Sequence, residues 1–256
     1  MDHACLSKGL ARFLAEGINL GTTYLLDPEE SHHLKNVLRL KEGEKIILLD
    51  LAGKEYLGKI VKLDKKGVLV KAQRLLRQEK PLKPELIFLL PLLKKDWLAF
   101  LVEKAVELGV SQVIPVITER TVVKPGANFT AKLEKRARQS LKQCRRLWPL
   151  KIQKPFSLSQ AAKNIVADLK IFAYENEKER TLVDVLDVNS KVEKVVFTSG
   201  PEGGFSPKEA KILKECGFES IGLGSFILRA ETAALYLMSV AHFTFFASKI
   251  LKKRSY

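Results

Sequence analysis

Two hydrophobic rhythms divide the chain. Up to about residue 75, short apolar runs alternate with turn residues. Tyr24-Leu-Leu26, Lys45–Leu51, Tyr56–Lys62 and Gly67–Gln73 read as strands. Ala52-Gly-Lys-Glu55 joins the second to the third, and Asp64-Lys-Lys-Gly67 leads into the fourth. One helix is expected at Pro28–Arg39, with Asp27 as N-cap and Pro28 at the first helical position. Strands this short and closely spaced predict a compact barrel.

Residues 74–84 carry charges and two prolines and read as a linker. Beyond them the rhythm changes to strand–helix alternation. Strands are expected at Glu85–Leu90, Gln112–Ile117, Leu169–Tyr174, Lys194–Ser199 and Glu219–Leu223. Helices are expected at Asp96–Leu108, Ala131–Arg146, Ser157–Ala167, Ser206–Cys216 and Arg229–Ile250. The first has an apolar stripe of Trp97, Leu101, Ala105 and Leu108 and ends at Gly109. Ser206-Pro-Lys-Glu209 has the form of a capping box, and Gly217 sits where a helix-ending glycine belongs. This alternation predicts an α/β domain with a mostly parallel sheet covered on both faces. The expected organisation is a small β-domain over 1–75 and an α/β domain over 76–256.

Two expected strands run into glycine-bearing turns, Gly200-Pro-Glu-Gly-Gly204 and Gly222-Leu-Gly-Ser225. Glycines there let main chain approach a ligand closely, and neighbouring turns at one sheet edge form a ligand site. The first turn is neither a Walker A loop nor G-x-G-x-x-G, and no phosphate-cradling lysine follows it. A tight turn before a capped helix is its plain structural alternative; as a binding turn it suits a flat, uncharged group such as an adenine. Glu202, at the tip, is expected to be exposed. Arg229 and Glu231 open the last helix. An acid suits the positive end of a helix dipole, whereas an arginine there calls for another role, such as a buried partner or an anionic ligand. Thr232 serves as a cap or as a binding group.

Charge adds a partner. The chain has 44 Lys and Arg against 29 Asp and Glu, a net charge of +15. That excess favours a polyanion, nucleic acid ahead of an anionic membrane, since no lipid-anchoring motif accompanies it. Between Lys132 and Lys154 nine basic residues face one acid, Glu134, and Trp148 offers a stacking surface beside them. A solvated face is the alternative. Arg120 and Lys124 follow a strand and are candidates for phosphate contact. His32 and His33 point in different directions on their helix, so a shared metal is not expected.

Cys5, Cys144 and Cys216 are widely separated and form no metal-binding or disulfide pattern; free thiols are expected. The first twenty residues lack a signal-peptide core, and the apolar run Leu235–Leu251 is too short and interrupted to span a bilayer comfortably. A cytoplasmic protein with no metal and no membrane partner is expected.

The motifs resemble one family. His33–Gly43, Glu103–Val110, Thr118-Glu-Arg120, Gly200–Gly204 and Ile227-Leu-Arg-Ala-Glu-Thr-Ala233 occur in the order and spacing of RsmE-type 16S ribosomal RNA (uracil-N3) methyltransferases of the SPOUT superfamily. The resemblance covers the whole chain. It implies a PUA-like barrel, an α/β domain with a C-terminal trefoil knot, a homodimer, and S-adenosylmethionine bound in the knot. It implies methylation of N3 of one 16S RNA uridine in the small ribosomal subunit. The cofactor residues would be Phe172, Tyr174, Glu175, Thr198, Ser199, Gly200, Pro201, Gly203, Leu223, Gly224, Ile227, Leu228 and Thr232. Arg229 and Glu231 would be catalytic. Arg39, Arg120, Lys124, Gln143, Arg145 and Arg146 would meet RNA. Lys142 stands where the family usually has an acid, and Phe226 where it often has arginine. A SPOUT enzyme for another RNA position and a non-catalytic RNA-binding assembly factor remain the alternatives.

Overall fold

The computed structural model describes residues 9–185 and 191–247. Cys5 and the end of the last expected helix, from Ser248 onward, lie outside the described residues. The chain forms two compact units, one reaching Pro81 and including Leu141–Pro149, the other holding Leu82–Ser140 and Leu150 onward.

The first unit is a five-stranded sheet of β1 (Arg12–Leu14), β2 (Thr23–Leu25), β3 (Lys45–Leu49), β4 (Lys54–Asp64) and β5 (Gly67–Gln78). Its order is β1-β3-β4-β5-β2, antiparallel except for the parallel pair β1–β3. Alternate side chains of these strands, among them Ile46, Leu48, Ile60, Val68 and Val70, form its core with Phe13 and Leu34. Sequence periodicity misses β1, three residues long. It also places the linker too early: Leu75, Arg77 and Gln78 continue β5, opposite Tyr56, Glu55 and Lys54. Charged residues suit a strand whose outer face meets water. The expected helix at Pro28–Arg39 is α1 (Pro28–His32), capped by Asp27, followed by a π-helical turn at His33–Val37. Arg39 then takes φ +54°, which ends the helical path.

The second unit has β6 (Glu85–Pro91), α2 (Lys95–Glu107), β7 (Gln112–Ile117), α3 (Phe129–Cys144, whose last residues count with the first unit), β8 (Lys151–Ile152), β9 (Phe156–Ser157), α4 (Leu158–Asn164), β10 (Leu169–Ala173), α5 (Leu182–Val185), β11 (Lys194–Thr198), α6 (Pro207–Glu215), β12 (Glu219–Ile221) and α7 (Ala230–His242). Every pairing among its strands is parallel, in the order β12-β10-β11-β6-β7-β8, with β9 also on β7. The central strands are unbroken apolar runs because helices cover both faces. Ile87, Leu89, Ile114, Phe172 and Val196 face α4 and α6. Leu86, Phe88 and Leu90, the alternate residues, are equally buried. In α2 the buried stripe is Leu98, Leu101, Val102, Ala105 and Val106, one position round from the expected one, and Trp97 is 40% exposed. The predicted capping box forms at Ser206/Glu209, and a second, not foreseen, forms at Ser157/Gln160. The helix from Ser157 stops at Asn164 because Ile165 is extended. A π-helical turn, Phe243–Ala247, follows α7.

Candidate functional site

β12, β10 and β11 are adjacent and parallel, so their carboxyl ends open on the same edge. Phe172 lies opposite Thr198 and Ser220, and the Tyr174 N–H donates to Ile221 O at 3.0 Å. The turns 174–177, 199–204 and 222–229 therefore leave the sheet at one level, as a switch-point ligand site requires. Phe172 is fully buried, edge-on to Phe205 and tilted on Tyr174. It supports the turns from below, so only its main chain is available to a ligand.

The Gly200–Gly204 turn is tight. The Gly204 N–H donates to Pro201 O at 2.9 Å, and a Cβ on Gly200 would lie 2.9 Å from Gly204 Cα. Thr198 Oγ1 is spent on Leu89 O at 2.7 Å. Ser199 is 1% exposed, and among the described residues its Oγ has no hydrogen-bond partner. A buried orphan hydroxyl costs about 1–3 kcal/mol, which a ligand group could recover. The Glu175 carboxylate lies over Gly204, where a Cβ would come within 2.5 Å of its Oε1. Glu202 is exposed as expected, but its Oε1 accepts from the Lys94 N–H at 3.2 Å, capping α2, which has no side-chain cap of its own. Arg120 donates through Nη1 to Gly203 O. Arg120, picked out by sequence for RNA, thus holds the glycine turn.

In the third turn Leu223 and Leu228 are half-buried, while Gly224 and Thr232 are exposed. Ile227 is 92% and Phe226 83% exposed. Arg229 is the exposed N-cap of α7, with extended backbone and no capping bond. Among the described residues its guanidinium has no ion pair. Glu231 is buried in the first turn of α7. A cavity of about 310 Å³ lined by Glu177, Arg180, Lys214, Phe218 and Ser220 contains none of the site residues expected from sequence.

The remaining basic candidates are spread over both units. Lys124 is exposed in the second; Arg39, Gln143 and Arg145 are exposed in the first. Arg146 is largely enclosed, and burial pulls its guanidinium down to about 10. Trp148 is not an open stacking surface. Its indole N–H donates to Glu79 O at 3.0 Å and its ring lies against Gly53. Lys142 pairs with buried Glu30 at 2.5 Å, which gives this base a structural role. Arg136 pairs with Glu103 at 2.9 Å. Part of the basic run is thus internal wiring.

Sequence reasoning missed the second role of Glu209 and the ion pairs of Glu55 with Arg12 and Arg77. Glu209 is buried: Oε2 accepts from the Ser206 N–H and Oε1 from the Glu119 N–H at 2.8 Å, tying the segment of Arg120 to α6. The capping-box spacing gave the first contact, and nothing local gave the second. Among the described residues no helix is long and apolar enough to cross a membrane, and no three His, Cys, Asp or Glu cluster to hold a metal.

Residues 78–242 match the RNA methyltransferase domain and residues 26–73 the RNA methyltransferase PUA domain. The ribosomal RNA small subunit methyltransferase E of Aquifex aeolicus is 31% identical, over 86% of this chain and 94% of the relative. This chain belongs to the ribosomal RNA small subunit methyltransferase E family. The Rickettsia conorii methyltransferase E is 32% identical over 80% of this chain and 82% of its own length. The methyltransferase E of Neisseria gonorrhoeae, solved bound to S-adenosyl methionine, superposes with a TM-score of 0.79 at 29% identity, covering 92% of this chain and 97% of that one. A Legionella pneumophila protein described as a methyltransferase, in complex with bound SAM, gives 0.81 at 30% identity over 90% and 96%.

Proposed function

We propose that the chain methylates N3 of one uridine of 16S ribosomal RNA in the small subunit, using S-adenosylmethionine. The observation that carries the proposal is the buried, unpartnered Ser199 Oγ at the end of β11, set among three main-chain turns on one sheet edge. A polar, partly flat ligand with a hydroxyl or amine for Ser199 fits that edge, and S-adenosylmethionine is one. It would be held by main chain of Phe172–Glu175, Thr198–Gly203 and Leu223–Leu228, with Thr232 beside them. When bound it supplies an electrophilic methyl on sulfur.

The chain's own task is to orient the uracil edge and favour loss of its N3 proton. Removing that proton spreads negative charge over O2 and O4. Arg229, exposed and uncommitted among the described residues at the mouth of the third turn, is placed to stabilise it. Glu231, buried in the first turn of α7, completes the proposed catalytic pair. Loss of turnover in Arg229→Ala is expected; wild-type turnover in both Arg229→Ala and Arg229→Lys would remove Arg229 from the chemistry.

Residues 1–75 serve as the PUA-like RNA-binding domain and 76–256 as the SPOUT domain, whose C-terminal segment forms a trefoil knot around the cofactor site. The enzyme acts as a cytoplasmic homodimer, with Arg39, Lys124, Gln143 and Arg145 toward RNA, while Arg120 holds the glycine turn and Arg146 is largely enclosed. Family membership and the net charge of +15 support this reading.

The test is transfer of labelled methyl from S-adenosylmethionine to small subunits lacking the modification, with the product nucleoside identified by mass spectrometry. 3-Methyluridine is expected. A different nucleoside would overturn the N3 assignment. Cofactor binding without transfer would mean another RNA, and no cofactor binding would mean an assembly factor.

A further inference from the structure

Arg145 is one of three non-glycine residues with positive φ, at +62°, among the described residues. A left-handed backbone is unfavourable for a residue with a Cβ, and arginine lacks the freedom of glycine or asparagine there. Something must hold it, and the first unit contains the holder. Arg77 donates through Nη2 to the Arg145 carbonyl at 2.5 Å. The same guanidinium is ion-paired on its other sides, with Glu55 through Nε at 3.2 Å, where hydrogen-bond geometry is not met, and with Glu79 through Nη1 at 3.1 Å. Glu55 is 4% exposed and also meets Arg12 Nε at 3.4 Å. Three residues past Arg145, Trp148 ties the chain to Glu79 O. The left-handed residue is thus clamped at its carbonyl and again three residues on.

The clamp presents a side chain. Arg145 is exposed, and among the described residues its guanidinium has no ion pair or hydrogen bond. Its charge is felt within the cluster: the Arg12 guanidinium is lowered first by burial, and Arg145 lowers it further against the pull of Glu55. A charge near other arginines and left free of acids is poised for an external anion.

We infer that Arg77, anchored by Glu55, is a positioning residue that fixes the strained Arg145 backbone so that its guanidinium meets a phosphodiester of the RNA substrate. The inference rests on the proposed RNA-directed function. A purely structural role for Arg77 would change stability and leave RNA dependence alone.

The test is a double-mutant cycle in the full-length protein, read as methyl transfer against small-subunit concentration, with cofactor affinity measured separately. Arg145→Gln should raise the KM for subunits about tenfold, the loss of one charged hydrogen bond, and lower the salt slope of binding by about one. Arg77→Gln should raise KM in the same direction with kcat and cofactor affinity unchanged. The double variant should be no worse than Arg145→Gln alone. Additive effects, with a second unit lost from the slope, would mean that Arg77 touches RNA itself and would overturn the inference, as would an unchanged KM in Arg77→Gln. If Arg77→Gln folds poorly, Glu79→Gln loosens the same guanidinium from its exposed side and should give a smaller KM rise, with no further rise when it is added to Arg145→Gln. An inactive wild-type protein would sink the proposed function; an active wild type with an additive cycle would sink only the positioning role.

Discussion

Gly200→Ala separates a main-chain ligand site from an ordinary turn. Its new Cβ would stand 2.9 Å from Gly204 Cα and 3.0 Å from both Gly204 C and Phe205 N. Ordinary contact begins near 3.4 Å, so the overlaps are about 0.5 and 0.4 Å. All three neighbours are backbone atoms with no rotamer to yield, so the turn itself must open. Overpacking of this kind costs about 1–3 kcal/mol. If that strain falls on the ligand-bound turn, S-adenosylmethionine affinity drops by roughly fivefold to a hundredfold. Calorimetric titration with the cofactor measures it, and a thermal melt measures what falls on folding instead. Gly217→Ala is the control. It lies at the end of α6 with φ +80° and open space around its Cβ position, so it carries backbone strain without a clash. It should lower stability by about 1–2 kcal/mol and leave cofactor binding alone. Wild-type affinity in Gly200→Ala, with the turn's clash confirmed by a lowered melt, would refute the placement of the cofactor on this turn.

Further outcomes follow from the buried acids. Glu209→Ala removes a cap and strands the Glu119 N–H, so the unfolding free energy should fall by about 2–3 kcal/mol in denaturant titration; a change under 1 kcal/mol would show that the contact is replaceable. Lys142→Glu faces buried Glu30 with a second carboxylate and should cost about 3–5 kcal/mol, largely restored by adding Glu30→Lys; no recovery in the double variant would mean that the pair is not the reason for the loss. The Glu177 carboxyl is held below the usual glutamate range, chiefly by the Ser220 hydroxyl and then by the Glu179 N–H. A depressed carboxylate adds stability above its ordinary pKa and loses it as pH falls through the lowered one. Ser220→Ala should therefore move the Glu177 midpoint upward in a carboxyl-carbon NMR titration, and an unmoved midpoint would assign the shift to the backbone donors.

The α/β unit was legible because its signals are local. An apolar run such as Leu86–Leu90 reads as a strand covered on both faces, and Ser206-Pro-Lys-Glu209 announces a helix start whatever packs around it. The first unit was less so. Arg74–Gln78 reads as a charged linker because its pairing with Lys54–Leu57 returns from twenty residues away. β1 finds its parallel partner β3 more than thirty residues downstream, and three residues carry no measurable period. Trp97 was assigned to the core by spacing alone. A neighbouring stripe, Leu98-Leu101-Val102-Ala105, fits the same period and buries more aliphatic surface.

The site divides along the same line. Glycine turns after β11 and β12 could be seen because glycine reports on backbone directly, and they mark the candidate ligand edge without any side-chain signature. Side chains fared worse because a charged residue's role depends on which distant group answers it. Arg120 and Arg136 look alike in sequence as exposed base candidates. One is bound to the Gly203 carbonyl and the other to Glu103. Lys142 is committed to Glu30, whereas Arg145, three residues on, is free among the described residues because Arg77 takes its carbonyl and leaves its guanidinium to solvent. Net charge counts all of these equally. Only the uncommitted fraction can meet a phosphate, so the basic surface available to a polyanion is smaller than +15 suggests, and Arg145 belongs to it on a backbone conformation the sequence alone would not choose.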